Sequence, residues 1–206
     1  MFAKKMFLFA VCVSLIVAGT AFAARVKKDK DVKSGDAASS AGSVNEPVSK
    51  ADIISELDDP KEWSVYTENT CKLQLQAVPG KFGKALEASY DFGQGGWVAM
   101  NMKKSMDFTV VTAFKLYYKG EGATNSIEVK INDADGSSFG YLLKTKSNES
   151  AWTLVEVPVS ELQYWWGGDK ELDLAKITEF HFAISKKEGD EGGTGKVIFD
   201  RLQMVK

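Results

Sequence analysis

Three stretches of the chain alternate apolar and polar residues with a period of two. Ile127, Val129 and Ile131 interleave with Glu128, Lys130 and Asn132; Val155, Val157 and Val159 with Leu154, Glu156 and Pro158; Phe180, Phe182 and Ile184 with Glu179, His181 and Ala183. Successive side chains of a strand point to opposite faces, so this pattern predicts strands with one buried face each. Glycine- and aspartate-rich turns punctuate the sequence at short intervals: Gly93-Gln94-Gly95-Gly96, Gly120-Glu121-Gly122, Asp133-Ala134-Asp135-Gly136, Gly167-Gly168-Asp169 and Gly189 to Gly195. Short strands, frequent turns and almost no helical periodicity predict an all-β, antiparallel jelly-roll β-sandwich. Helical turns are expected only at Ala51 to Leu57 and at Leu174 to Ile177, after Asp173.

Residues 1–23 have the layout of a secretory signal. Lys4 and Lys5 precede an apolar run from Met6 to Ala18, and Ala21-Phe22-Ala23 offers small residues where a signal peptidase cuts. The run is too short for a stable membrane span. Residues 24–50 lack aromatics and are rich in Lys, Asp, Ser, Ala and Gly, the composition of a disordered tether. The expected domain is 51–206, long enough for one core. Cleavage after Ala23 leaves 24 basic against 28 acidic groups, a charge of about −4, which gives no electrostatic case for nucleic acid. The chain is expected to be exported, to the periplasm or beyond the cell.

Chemistry is constrained as much by what is scarce. The chain has one histidine, His181, and outside the leader one cysteine, Cys71. A histidine-based triad, a multi-ligand zinc site and a disulfide framework are therefore nearly excluded, and Cys71 reads as a small buried hydrophobe. Carboxylate pairs are too common to single out, and none lies in an apolar setting that would raise one pKa. Aromatics without catalytic partners point to binding and not to an enzyme.

Motif order carries a resemblance. Gly83-Lys84-Ala85-Leu86-Glu87, Tyr90-Asp91-Phe92, Gly96-Trp97-Val98, Phe114-Lys115-Leu116, Asp133-Ala134-Asp135-Gly136, Trp152 with Val157-Pro158-Val159, Leu172 to Ile177 and Val197-Ile198-Phe199-Asp200 together resemble the family 11 carbohydrate-binding modules. These belong to the galactose-binding-like jelly rolls, as do the complex I intermediate-associated proteins. The resemblance implies a non-catalytic sandwich that grips β-glucan on a concave sheet and holds a structural calcium. The family often ends in two acids and an aliphatic residue; Asp200-Arg201-Leu202 keeps the first acid only.

A sugar ring has an apolar face and a hydroxylated rim, so its site needs an aromatic plate and nearby polar groups. Trp97, Tyr164, Trp165 and Trp166 adjoin glycine-rich loops, and the Tyr164-Trp165-Trp166 run is expected in a loop at one end of the roll. Of Trp165 and Trp166, one is expected in the core and one exposed. Tyr117, Asn132, Tyr141 and His181 are the other carbohydrate-binding candidates, whereas Trp63 and Trp152 are expected in the core. For calcium, Asp58-Asp59 and Asp200 should meet where the domain's ends lie side by side, with Glu87 as a further ligand; the metal candidates are thus Asp59, Glu87 and Asp200. Asp133-Ala134-Asp135-Gly136 has the spacing of a calcium loop without its distal glutamate and reads as a plain turn. The alternative to a glycan-binding protein is a cell-envelope assembly domain with a protein partner on the same sandwich.

Overall fold

The computed structural model describes residues 49–206, so the expected leader and nearly all of the expected tether lie outside the described residues. Twelve strands form two antiparallel sheets: β1 (Ile53–Ser55), β2 (Ser64–Thr67), β3 (Lys72–Pro79), β4 (Lys84–Asp91), β5 (Trp97–Met106), β6 (Ala113–Gly122), β7 (Ser126–Asp133), β8 (Ser138–Lys146), β9 (Thr153–Pro158), β10 (Gln163–Trp166), β11 (Ile177–Ser185) and β12 (Thr194–Val205). The first sheet runs β3-β4-β12-β6-β9, with β1 pairing β12, and the second runs β10-β8-β7-β11-β5-β2. The alternating segments become β7, β9 and β11, as their period predicts, except that Val159 falls in a 3-10 turn, Val159–Glu161, just after β9.

The two inner faces meet in one aromatic-rich core. Phe182 of β11 stacks on Phe199 of β12 with centroids 4.8 Å apart, and Phe180 meets Phe114 of β6 edge-on at 5.3 Å. These pairs join one sheet to the other, and each fully buried side chain adds about 1.5–3 kcal/mol of hydrophobic stabilisation. Trp63 is buried against Phe182 at 5.5 Å, and Cys71 is buried. Trp152 departs from expectation: it is only half-buried, outside the core cluster, and the Lys119 ammonium lies 5.0 Å above its ring.

The predicted helical turn at Leu174 is a short 3-10 turn, Leu174–Lys176, capped by the Asp173 carboxylate, which accepts from the Ala175 N–H. The one expected over Ala51 to Leu57 is confined to a 3-10 turn at Lys50–Asp52. Ile53–Ser55 instead pairs with β12, because strand pairing there buries Ile54. Asp133-Ala134-Asp135-Gly136 is the plain turn: Gly136 has φ +89° and donates to the Asp133 carbonyl, while both aspartates accept from the Ser137 N–H.

Candidate functional site

Cross-strand pairing arranges the outer face of the second sheet in rows that run across its strands. One row is Lys103, Glu179, Asn132, Ser138; the next is Ser64, Asn101, His181, Lys130, Gly140, Gln163. A third is Tyr66, Ala99, Ala183, Glu128, Leu142, and a fourth Trp97, Ser185, Ser126, Lys146. Two adjacent alanines make the middle of the third row shallow. Above it lies a groove of about 550 Å³ with Trp97 and Trp166 among its walls and Ala183, Ser185, Glu128 and Lys130 along it. A second groove of about 510 Å³ continues past Gly140 and Trp165 towards Gln163, and Glu128 and Lys187 border both.

The aromatics are held there by sheet chemistry. Tyr164-Trp165-Trp166 belongs to an edge strand and not to a loop: β10 pairs with β8, with a register shift between Tyr164 and Trp166. Neither tryptophan joins the core. Trp165 lies over Gly140, where an added Cβ would come within 2.6 Å of its ring, so the missing side chain is what lets the indole lie on the sheet. Trp166 is 52% exposed and Trp97 40%. Both suit the stacking role that a sugar face requires.

The polar groups fall into two clusters. Glu179 Oε2 accepts from Asn132 Nδ2 at 3.2 Å and Asn101 Nδ2 at 3.3 Å; His181 Nε2 lies 2.9 Å away, close enough for charge attraction but off the hydrogen-bond direction. Burial pushes the His181 pKa down, and the Lys130 charge adds to this, against the attraction of Glu179. Asn101 Oδ1, Asn132 Oδ1 and Ser138 Oγ are buried and make no hydrogen bond to another protein group. The second cluster centres on Glu128, which takes Lys187 Nζ at 2.6 Å, Ser185 Oγ at 2.6 Å and Lys130 Nζ at 3.4 Å. Burial favours its neutral form, but those donors and charges outweigh burial and hold the carboxyl below its usual range. Asp190 positions Lys187 by accepting from its N–H and from Ser126, while Lys146 pairs with the other carboxylate oxygen.

Of the residues picked out from sequence, Trp97, Asn132, Trp165 and His181 share this face. Tyr164 lies on the same edge strand but leans on Phe139, a core residue, and its hydroxyl donates to the Gly167 carbonyl. Tyr141 pairs with Val129 and packs against the core, and it is also among the residues that line the second groove. Tyr117 is on the other sheet altogether, opposite Asp200 and Leu154, with its ring against Phe82. Sequence reasoning passed over Tyr66, Asn101 and Ser138. Tyr66 lies in a four-residue edge strand too short to show alternation, though it is 46% exposed.

The sequence profile of the carbohydrate binding domain (family 11) matches residues 41–205. The chain belongs to that family. A family 11 module from Clostridium thermocellum, solved in complex with a β-1,3-1,4-mixed-linked tetrasaccharide, superposes with a TM-score of 0.64 at 21% identity, covering 75% of this chain and 94% of that one. A family 30 carbohydrate-binding module of a cellulosomal cellulase from the same organism gives 0.57 at 12% identity, covering 72% and 93%. At such identities these likenesses bear on the fold. A curated relative, mannan endo-1,4-β-mannosidase of Bifidobacterium adolescentis, is 32% identical over 143 residues; the alignment covers 62% of this chain and only 14% of that protein.

The acids proposed for this family 11 domain's calcium do not fit one ion. Asp59 caps the turn at Pro60–Glu62 through the Lys61 N–H, and Glu87 accepts from Gln76 and Ser89. Asp200 is buried, accepting from the N–H groups of Lys81 and Phe82, and burial raises its pKa. Among the described residues no three His, Cys, Asp or Glu side chains gather closely enough to hold a metal. Arg201, where a second acid was expected, has φ +49° at a β12 bulge and lays its guanidinium 3.9 Å from the centre of the Phe82 ring.

Proposed function

We propose that this family 11 domain is an exported, non-catalytic protein that binds a β-glucan-type polysaccharide along the grooves on the outer face of its second sheet. The observation that carries this is that two exposed plates, Trp97 and Trp166, line one groove with the small residues Ala183 and Ser185 between its walls. Tyr66 and Leu142 extend the apolar surface at either end of the row that holds Ala183. Gln163, Lys186 and Lys187, exposed along the grooves, supply the polar groups that sugar hydroxyls need beside the plates. A chain of sugars crossing the strands would meet aromatic faces and polar rims in turn.

Two features speak for binding without turnover. Glycoside hydrolysis needs a carboxylic acid that stays protonated near neutral pH, yet the carboxyl at the centre of the groove, Glu128, is held ionised by Lys187, Lys130 and Ser185. Glu179 in turn is engaged by two asparagine amides. Export rests on the layout of residues 1–23.

Open grooves of this kind bind with Kd on the order of 10 µM to 1 mM, about −7 to −4 kcal/mol. Affinity electrophoresis of the folded protein through gels of mixed-linkage β-glucan, cellulose, xylan and mannan tests the reading. Retardation by a β-glucan, released by soluble glucan, is the expected result. Unretarded migration in every gel would sink it.

A further inference from the structure

We propose Lys130 as a positioning residue: its buried ammonium pins the Trp165-Trp166 arm over the sheet and so sets the shape of the sugar-facing surface, a role that rests on the glycan-binding reading above. Lysine rarely gives up water, yet Lys130 is 9% exposed and sits mid-sheet between His181 and Gly140. Its Nζ is 5.5 Å from the ring centre of Trp165 and 5.3 Å from that of Trp166, and the two rings are 5.8 Å apart, tilted by 37°. Both indoles thus face one cation, at distances where the attraction between ammonium and ring quadrupole is appreciable and strengthens as water is excluded.

The arm needs such an anchor. β10 has four residues, pairs on one side only and carries a register shift between Tyr164 and Trp166, so its ladder fixes the backbone only loosely. Gly140 leaves space beneath Trp165 but no side chain to grip it. Lys130 is itself anchored at Glu128, 3.4 Å away, which Lys187 and Ser185 hold from the other side. The ammonium therefore links the rigid middle of the sheet to two plates at its edge, one on each groove.

The test uses the full chain labelled with 5-fluorotryptophan, its five tryptophan resonances assigned by single Trp→Phe changes, together with titration of soluble mixed-linkage β-glucan. Lys130→Met keeps the aliphatic stem and removes the charge; Lys130→Gln is a second uncharged variant whose amide still reaches for Glu128; Lys130→Arg restores a cation. In the uncharged variants the Trp165 and Trp166 resonances should move towards the solvent-exposed value while that of Trp63 stays, with glucan affinity about tenfold weaker. Lys130→Arg should bring both readouts back to within about twofold of wild type. Unmoved resonances in Met and Gln variants that bind normally would overturn the proposal. Weaker binding with unmoved resonances would overturn it too, making Lys130 a direct sugar contact. If the unaltered protein binds no glucan but the resonances move and arginine restores them, the glycan reading fails while the anchoring role stands.

Discussion

The two outer faces of the sandwich carry similar residues and use them differently. On both sheets charges pair and aromatics lie by cations, Lys115 with Glu156 at 3.2 Å and Trp152 below Lys119 on the first, Lys187 with Glu128 at 2.6 Å and Trp166 beside Lys130 on the second. On the second sheet, however, Trp97, Tyr66 and Trp166 keep large exposed areas, with Gln163, Lys186 and Lys187 exposed along the same grooves. The first face has exposed polar groups as well, Glu121 and Glu156 among them, but its tryptophan, Trp152, is only partly exposed. A surface recognises sugar through exposed plates with exposed polar groups beside them, and aromatic content alone does not distinguish the two faces.

The change expected to break this contrast most severely is Gly140→Ala. Its Cβ, 2.6 Å from the Trp165 ring, would expel the indole and disturb Trp166 with it, weakening β-glucan binding about 100-fold by affinity electrophoresis while the core, untouched, keeps the fold. Next come the single plates: Trp97→Ala and Trp166→Ala should each cost about tenfold in affinity, whereas Tyr117→Ala and Trp152→Ala on the opposite face should stay within about twofold. Equal losses on both faces would erase the distinction.

A smaller effect is expected from pH. The folded His181 pKa lies below the free value of 6.5, so the unfolded chain takes up a proton first. Stability is then full above about 6.5 and falls as pH drops from there towards the folded pKa. Urea midpoints measured between pH 7.5 and 5 should show this slope, and His181→Gln should flatten it. Smallest of all, a chelator should move the melting temperature by no more than about 1 °C, because hydrogen bonds within the chain already engage Asp59, Glu87 and Asp200.

Periodicity made β7, β9 and β11 legible, and with them which residues are polar-facing. It could not say which sheet a strand would join. Tyr117 and Asn132 both oppose buried neighbours in alternating segments, yet β6 pairs with β12 and β9 while β7 pairs with β8 and β11, so the two end on opposite surfaces. Pairing partners are far apart in the chain and leave no local mark. Trp152 falls in phase with Leu154 and Glu156, so the alternation that turns Val155 and Val157 to the core turns it outward, beneath Lys119. Lys130 reads in the sequence as an ordinary wet-face lysine, and only the fold brings β10 over it.

β12 has one more implication. This strand, Thr194–Val205, lies in the interior of the first sheet with β4 on one side and β6 on the other, and β1 joins it as well. It is translated after the other described strands, so β4 and β6 each keep an unpaired edge until it emerges. A chain cut short before Thr194 would leave two long strand edges bare in the middle of one sheet, an open template for pairing with other chains.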